Sequence, residues 1–257
     1  MTDAVLFDAR PDGIAVITLN RPDRRNCLGK DIRAGLFDAW DRFEHDPSLR
    51  IAILTGAGRK AFCAGGDLAE MVETRMGEPP RDMFPLPYDT IELSKPTIAA
   101  VNGAAFAGGW MIAQACDLCV ASTTATFAIT EVKVGRSSPW AAPLIHMIPQ
   151  RIMMEILLTG DPITAQRAYE IGLVNRLAEP GELLDTALDL AGRILAGAPL
   201  SVRAARETVM LATEMGRAAA LSAARHAASR AYRSADAQEG PAAFAEKRKP
   251  RWTAFSG

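Results

Sequence analysis

The stretch Lys95-Pro96-Thr97-Ile98-Ala99-Ala100-Val101-Asn102-Gly103-Ala104-Ala105-Phe106-Ala107-Gly108-Gly109-Trp110 decides the fold. Its apolar run Thr97–Val101 predicts a short buried strand, the small residues after it predict a turn, and Gly108-Gly109 opens a helix over residues 110–115. Residues 96–116 carry no charge and are long enough to cross a bilayer. Pro96, Asn102, Gly103, Gly108, Gly109 and Gln114 interrupt them, and a buried strand, turn and helix fits better than a membrane span.

The same alternation continues on both sides. Upstream, β-rich runs at 5–7 and 14–19 flank Arg10-Pro11-Asp12-Gly13, a hairpin signal. Ile32, Leu36, Phe37, Trp40 and Phe43 then recur at helical spacing, and residues 51–55 read as a short buried strand ending in Gly56-Ala57-Gly58. Downstream, residues 118–121 form a further strand. Strands alternating with helices define an α/β fold with parallel pairing, and short strands with glycine-rich turns suit a curled spiral. From Leu183 onward the sequence becomes rich in Ala and Arg. Val202, Ala205, Val209 and Ala212 mark one helix; Leu221, Ala224, Ala228 and Tyr232 mark another. The expected division is a core over 1–196 and a helical region over 197–257.

At 257 residues, 49 % of them apolar and 23 % charged, the chain is sized for one large buried core. A formal net charge of −1 excludes a nucleic-acid footprint. The N-terminus Met-Thr-Asp-Ala-Val lacks a basic region, and Asp8 breaks its apolar run, so no secretory signal is expected. Four cysteines are too few for a disulfide scaffold; Cys116 and Cys119, a lone C-x-x-C without a nearby histidine, read as core residues rather than a metal site. The expected compartment is the cytoplasm.

Two turns and one acid carry the chemistry. In Ala61-Phe62-Cys63-Ala64-Gly65-Gly66-Asp67-Leu68-Ala69-Glu70-Met71, small residues let a ligand approach the backbone. Asp67 with Glu70 reads as a capping box for the following helix, and free N–H groups at a helix start can hold an anionic oxygen. The turn before Gly108-Gly109 has the same form. Either turn alone also fits a helix packed tightly on a sheet; together they could aim N–H groups at one point, as in an oxyanion hole. Glu131 sits among Phe127, Ala128, Ile129 and Val132, surroundings that raise a carboxyl pKa and suit a general base. Read locally, a surface pair with Lys133 accounts for it better.

Taken together, these segments resemble the crotonase family, the enoyl-CoA hydratase/isomerase superfamily. The resemblance runs through Ile17-Thr18-Leu19-Asn20-Arg21-Pro22 with Asn26, residues 61–67, residues 95–109, Leu158-Thr159-Gly160-Asp161, residues 165–174 and residues 244–249. It implies a crotonase-like spiral of ββα units with a C-terminal helical oligomerisation subdomain that assembles trimers, often paired as hexamers. It implies an acyl-CoA thioester whose carbonyl oxygen lies between the N–H groups of Gly66 and Gly108, and Glu131 as the catalytic glutamate. Coenzyme A would enter as part of the substrate, with no separate cofactor and no metal.

The position matching the family's second hydratase glutamate is Met111, which can neither accept a proton nor hold water strongly. One glutamate suffices for a 1,3-proton shift, so isomerisation ranks ahead of hydration, and a non-catalytic CoA-ester-binding paralogue is the alternative. The resemblance further implies CoA contacts from Arg24, Arg25, Ala64, Asp67, Leu68 and Lys247, the last in the basic run Lys247-Arg248-Lys249. It implies an acyl pocket of Met71, Phe106, Met111, Pro139 and Trp140, beneath a mobile lid around residues 75–81. Ser137-Ser138-Pro139-Trp140 stands where many members carry a glycine-rich turn.

Overall fold

The computed structural model describes residues 4–253, so the first three residues of the N-terminal stretch read above lie outside it. A hairpin opens the chain: β1 (Val5–Ala9) pairs antiparallel with β2 (Ile14–Leu19), and Gly13 takes the φ of +87° that the turn between them requires. Helix α1 (Lys30–His45) follows, burying Ile32, Leu36, Ala39, Trp40 and Phe43. Phe37, expected on that face, is only half-buried, and Ala39 takes its place.

Three successive units then repeat one pattern. The first is β3 (Ile51–Gly56), β4 (Ala61–Cys63) and α2 (Leu68–Glu73); the second is β5 (Thr97–Val101), β6 (Ala104–Phe106) and α3 (Gly108–Gln114). The third is β7 (Leu118–Ser122) and β8 (Thr126–Ala128), closed by a 3-10 turn at Glu131–Val134. Each unit gives its first strand to a large sheet and its second to a small one, which is the spiral. The stretch at 96–116 is therefore a strand, a turn and a helix, and no helix among the described residues is long and apolar enough to cross a membrane.

The chain continues through α4 (Gln150–Thr159), β9 (Ile163–Thr164), α5 (Ala165–Glu170), β10 (Arg176–Ala178) and α6 (Leu183–Leu195). The large sheet has the order β1-β2-β3-β5-β7-β10, and the small sheet β4-β6-β8-β9. All pairings are parallel except β1 with β2 and β8 with β9. The large sheet's inner strands β2, β3, β5 and β7 are buried on both faces, which is why they lack a polar alternation. Ile17, Leu19, Leu54, Ala99 and Val101 meet the main core with α1 and α3, while Ile14, Val16, Ile51, Ile53, Ile98 and Val120 pack on Leu183, Ala187 and Ala191 of α6.

Helices α7 (Pro199–Glu214), α8 (Arg217–Tyr232) and α9 (Asp236–Ala245) complete the described chain. Arg206 of α7 is tied to the core: its Nε donates to both oxygens of Asp117 at 2.8 and 3.0 Å, and Asp117 also takes the N–H and hydroxyl of Thr97 at 2.8 and 2.9 Å. The apolar stripes predicted for α7 and α8 do not all face inward. Val209 is 63 % exposed, Leu221 52 % and Tyr232 79 %, with Ala204 and Ala220 buried instead.

Candidate active site

Strands β4, β6 and β8 lie side by side and parallel, so their carboxyl ends emerge together. This is the edge of a parallel α/β sheet at which ligands bind. The first strand runs into Ala64-Gly65-Gly66, the second into Ala107-Gly108, and the third through Ile129-Thr130 into Glu131. The residues singled out in sequence thus leave one sheet edge on three neighbouring strands.

The two glycine turns touch. Gly65 adopts φ +100°, and a Cβ there would sit 2.9 Å from the Ala107 Cβ and 3.5 Å from the Gly108 nitrogen. A Cβ on Gly108 would in turn lie 3.6 Å from the Gly66 nitrogen. Gly108 begins α3, where an N–H has no intrahelical acceptor. Among the described residues neither the Gly66 nor the Gly108 N–H donates to a protein acceptor. Ala107, the N-cap, holds φ +50° and ψ −121°, a conformation that costs a non-glycine residue about 1–3 kcal/mol. Its own N–H is pinned to Ala128 O at 2.8 Å, which joins this turn to the strand leading to Glu131.

Gly108 and Gly109 differ in kind. A Cβ on Gly109 would run into the Cys63 carbonyl, backbone that cannot yield, so this glycine exists for the contact of α3 with β4. At Gly108 the nearest obstacle is the end of the Leu28 side chain, at 2.9 Å.

Glu131 is 9 % exposed. Its Oε1 accepts the Trp140 indole N–H at 3.1 Å, while Oε2 is buried without a hydrogen-bond partner among the described residues. Burial pushes this carboxyl above its usual range; its own backbone N–H, the Trp140 indole and the Ser138 side chain oppose the shift without cancelling it. The pair expected with Lys133 does not form. Lys133 Nζ binds Asp161 Oδ1 at 2.6 Å, and Glu131 turns inward because its 3-10 turn follows directly on buried β8.

Asp67 caps α2, accepting from the N–H groups of Ala69 and Glu70 at 3.0 and 3.3 Å. The reciprocal half of the capping box is replaced: Glu70 forms a fork with Arg33 of α1 at 2.7 and 2.9 Å, because a guanidinium offers a stronger partner than one amide. Arg25 lies beside the first turn, its carbonyl accepting the Ala64 N–H at 3.0 Å, and Arg24 closes the adjacent 3-10 turn Pro22–Arg24. Leu68 is 60 % exposed. Lys247 follows α9 and forms no ion pair with these residues among the described ones; its neighbour Arg248 is taken up by Glu239 and Glu246.

Of the pocket residues, Met71 lays its terminal methyl over the Gly66 Cα. Phe106 ends β6 and Trp140 is half-buried, whereas Pro139 is exposed and Met111 is buried in the main core. Three roles escaped the sequence reading. One is that of Asn26, singled out only as part of the opening motif: it is buried, and its amide spans Ala57 O and Ala61 O, both at 3.0 Å, holding the first turn against the chain before α1. Arg136 is another, gripping the carbonyls of Met76 and Gly77 in the expected lid. The third is the link from Glu131 to Trp140, for which a donor-only indole nine residues after the acid was the available signal. Cys116 and Cys119 are buried and unbridged, and no metal-ligand cluster occurs among the described residues.

The spiral of ββα units thus brings two idle amides and a buried carboxyl to one sheet edge, and comparison with known proteins identifies the class. The family model described as enoyl-CoA hydratase/isomerase matches residues 9–254, so the chain belongs to the enoyl-CoA hydratase/isomerase family. It is 43 % identical over 210 residues to the (E)-benzylidenesuccinyl-CoA hydratase of Thauera aromatica, covering 79 % of this chain and 80 % of that protein. It is 39 % identical to the carnitinyl-CoA dehydratase of Salmonella arizonae, covering 93 % and 94 %. The crystal structure of an enoyl-CoA hydratase from Mycobacterium tuberculosis H37Rv superposes with a TM-score of 0.90 at 40 % identity, over 99 % of this chain and 100 % of that one.

Proposed function

We propose that the chain hydrates a 2-enoyl-CoA, or runs the reverse dehydration, with Glu131 as its one proton carrier and the Gly66 and Gly108 N–H groups as the oxyanion hole. The observation that carries this reading is the bare, buried Oε2 of Glu131 at the sheet edge where both amides are also free. As water bonds to Cβ, Glu131 takes its proton and the thioester oxygen gains negative charge between the two amides. The same carboxyl then returns the proton to Cα and the C=O re-forms, adding H and OH across the double bond. Each oxyanion donor is worth roughly 3–4 kcal/mol in the transition state.

Isomerisation is the second reading, favoured by Met111: Glu131 would take a proton from Cα of a 3-enoyl-CoA and return it at Cγ. The relatives named hydratase and dehydratase move hydration ahead. Met71 and Phe106 would line the acyl group, with the Trp140 indole turned to Glu131 instead, and Arg24, Arg25, Ala64, Asp67 and Leu68 would face the CoA. Lys247 would serve from a neighbouring subunit, through a trimer or paired trimers built on the 197–257 region and its exposed apolar side chains. Four unpaired cysteines support a reducing, cytoplasmic setting.

Purified protein given 2-enoyl- and 3-enoyl-CoA in parallel decides between these, with the conjugated double bond followed by absorbance. Loss from the first is the expected result; gain from the second would make the chain an isomerase. CoA-ester binding without either reaction, across chain lengths, would make it a non-catalytic paralogue.

A further inference from the structure

Glu131 is not held by the backbone turn alone. Trp140 Nε1 occupies Oε1 at 3.1 Å, and the carbonyl of Trp140 in turn accepts Gln114 Nε2 at 2.7 Å. Gln114 is the last residue of α3, whose first residue is Gly108. One short helix thus presents a free amide of the proposed oxyanion hole at one end. At its other end it fixes the residue that fixes the acid. Pro139 starts the 3-10 segment Pro139–His146 with a locked φ, and the Trp140 ring packs against the main core, so the indole has little freedom to swing away.

We propose that Trp140 and Gln114 are positioning residues that orient Glu131 from the far end of α3. An indole N–H only donates, so it holds one carboxylate oxygen without competing for the proton. Oε2 is left to handle the proton, and the Ser138 side chain is the other side-chain group that favours the carboxylate form. The chain Gly108–α3–Gln114–Trp140–Glu131 joins oxyanion hole and base through one short helix and two hydrogen bonds. This inference rests on the reading of Glu131 as the base.

Trp140→Phe keeps the ring's packing and removes the donor. With short- and medium-chain trans-2-enoyl-CoA as probes, kcat is expected to fall about tenfold while KM stays within about twofold, as for a misplaced catalytic group. Loss of a donor to the charged carboxyl raises its pKa, so the acid limb of kcat/KM should move up by roughly one pH unit. A variant that merely loosened the fold would not move that limb. Gln114→Met is expected to act in the same direction more weakly, and the double variant to be no worse than Trp140→Phe alone, because Gln114 acts through Trp140. Should Trp140→Phe fail to fold, the Gln114→Met profile decides by itself. Glu131→Gln is run beside them. Retained turnover in it overturns the base reading and this inference with it. Inactive Glu131→Gln beside variants with wild-type kcat and an unmoved acid limb overturns the positioning role alone.

Discussion

The two sheets are built from the same units and differ in how they treat their polar groups. In and around the large sheet the intrusive charges find partners, although Arg50 Nε and Arg206 Nη2 stay buried without a hydrogen bond of their own among the described residues. Lys95, 1 % exposed, drives its ammonium into the carbonyls of Phe43 and Asp46 at the C-terminus of α1, at 2.7 and 2.8 Å. There the helix dipole favours a cation. Asp117 is saturated by Thr97, Arg206 and the Tyr88 hydroxyl. The small sheet, with strands of three residues or fewer, ends in a glycine at φ +100°, an alanine at φ +50°, two idle N–H groups and a carboxylate oxygen with no partner. Buried unsatisfied groups and strained backbone lower stability, so they persist where function uses them. The large sheet supplies the stability that lets the small one remain incomplete.

The division can be broken most forcefully at adjacent glycines. Gly109→Val is expected to cost on the order of 4–5 kcal/mol or more, because its side chain meets the Cys63 carbonyl, and to leave little folded protein in a denaturant titration. Gly108→Ala should fold, since only the Leu28 side chain has to move, yet lose on the order of 10²-fold in kcat as its methyl, 3.6 Å from the Gly66 nitrogen, takes up space between the two proposed donors. Full turnover in Gly108→Ala would remove that turn from the site. Next in size, Asp117→Asn leaves the Arg206 guanidinium, 11 % exposed, without its counter-charge. A loss of about 3–5 kcal/mol is expected from unfolding curves, with kcat of the folded fraction intact. A matching loss of kcat would show that the two regions are not separate.

Much of this was legible in the sequence because it is local. Strand, glycine turn and helix start follow one another within a dozen residues in the first two units, and the two turns were read that way, whereas Glu131, locally better explained as a surface pair with Lys133, was singled out by the family resemblance. What stayed hidden depends on distance along the chain. Glu70 finds Arg33 across 37 residues, so its capping role could not be judged from neighbours. The strands of the small sheet barely complete a two-residue period, too little for a pattern to emerge. Gly108 and Gly109 read alike as letters; only the Cys63 carbonyl separates them. The outward stripe on α7 has the spacing of a core face, and spacing does not say which surface covers it.

The smallest expected effect sharpens the comparison most. Ala107→Gly removes the penalty of a Cβ at φ +50° while adding backbone entropy to the unfolded chain. The first term is about 1–3 kcal/mol and the second about 0.4–1, so a net gain near 1 kcal/mol is expected, or a rise of roughly 2–4 °C in Tm. If the strain serves to aim the Gly108 N–H, the more stable variant should turn over more slowly with KM nearly unchanged. A glycine there can relax into other conformations that a Cβ and the Ala107–Ala128 hydrogen bond together exclude. Stability and kcat moving in opposite directions would mean that the incomplete sheet edge is held in place against its own preference. A gain in stability with kcat unchanged would make Ala107 a tolerated imperfection and leave the aiming of the amide to the glycines alone.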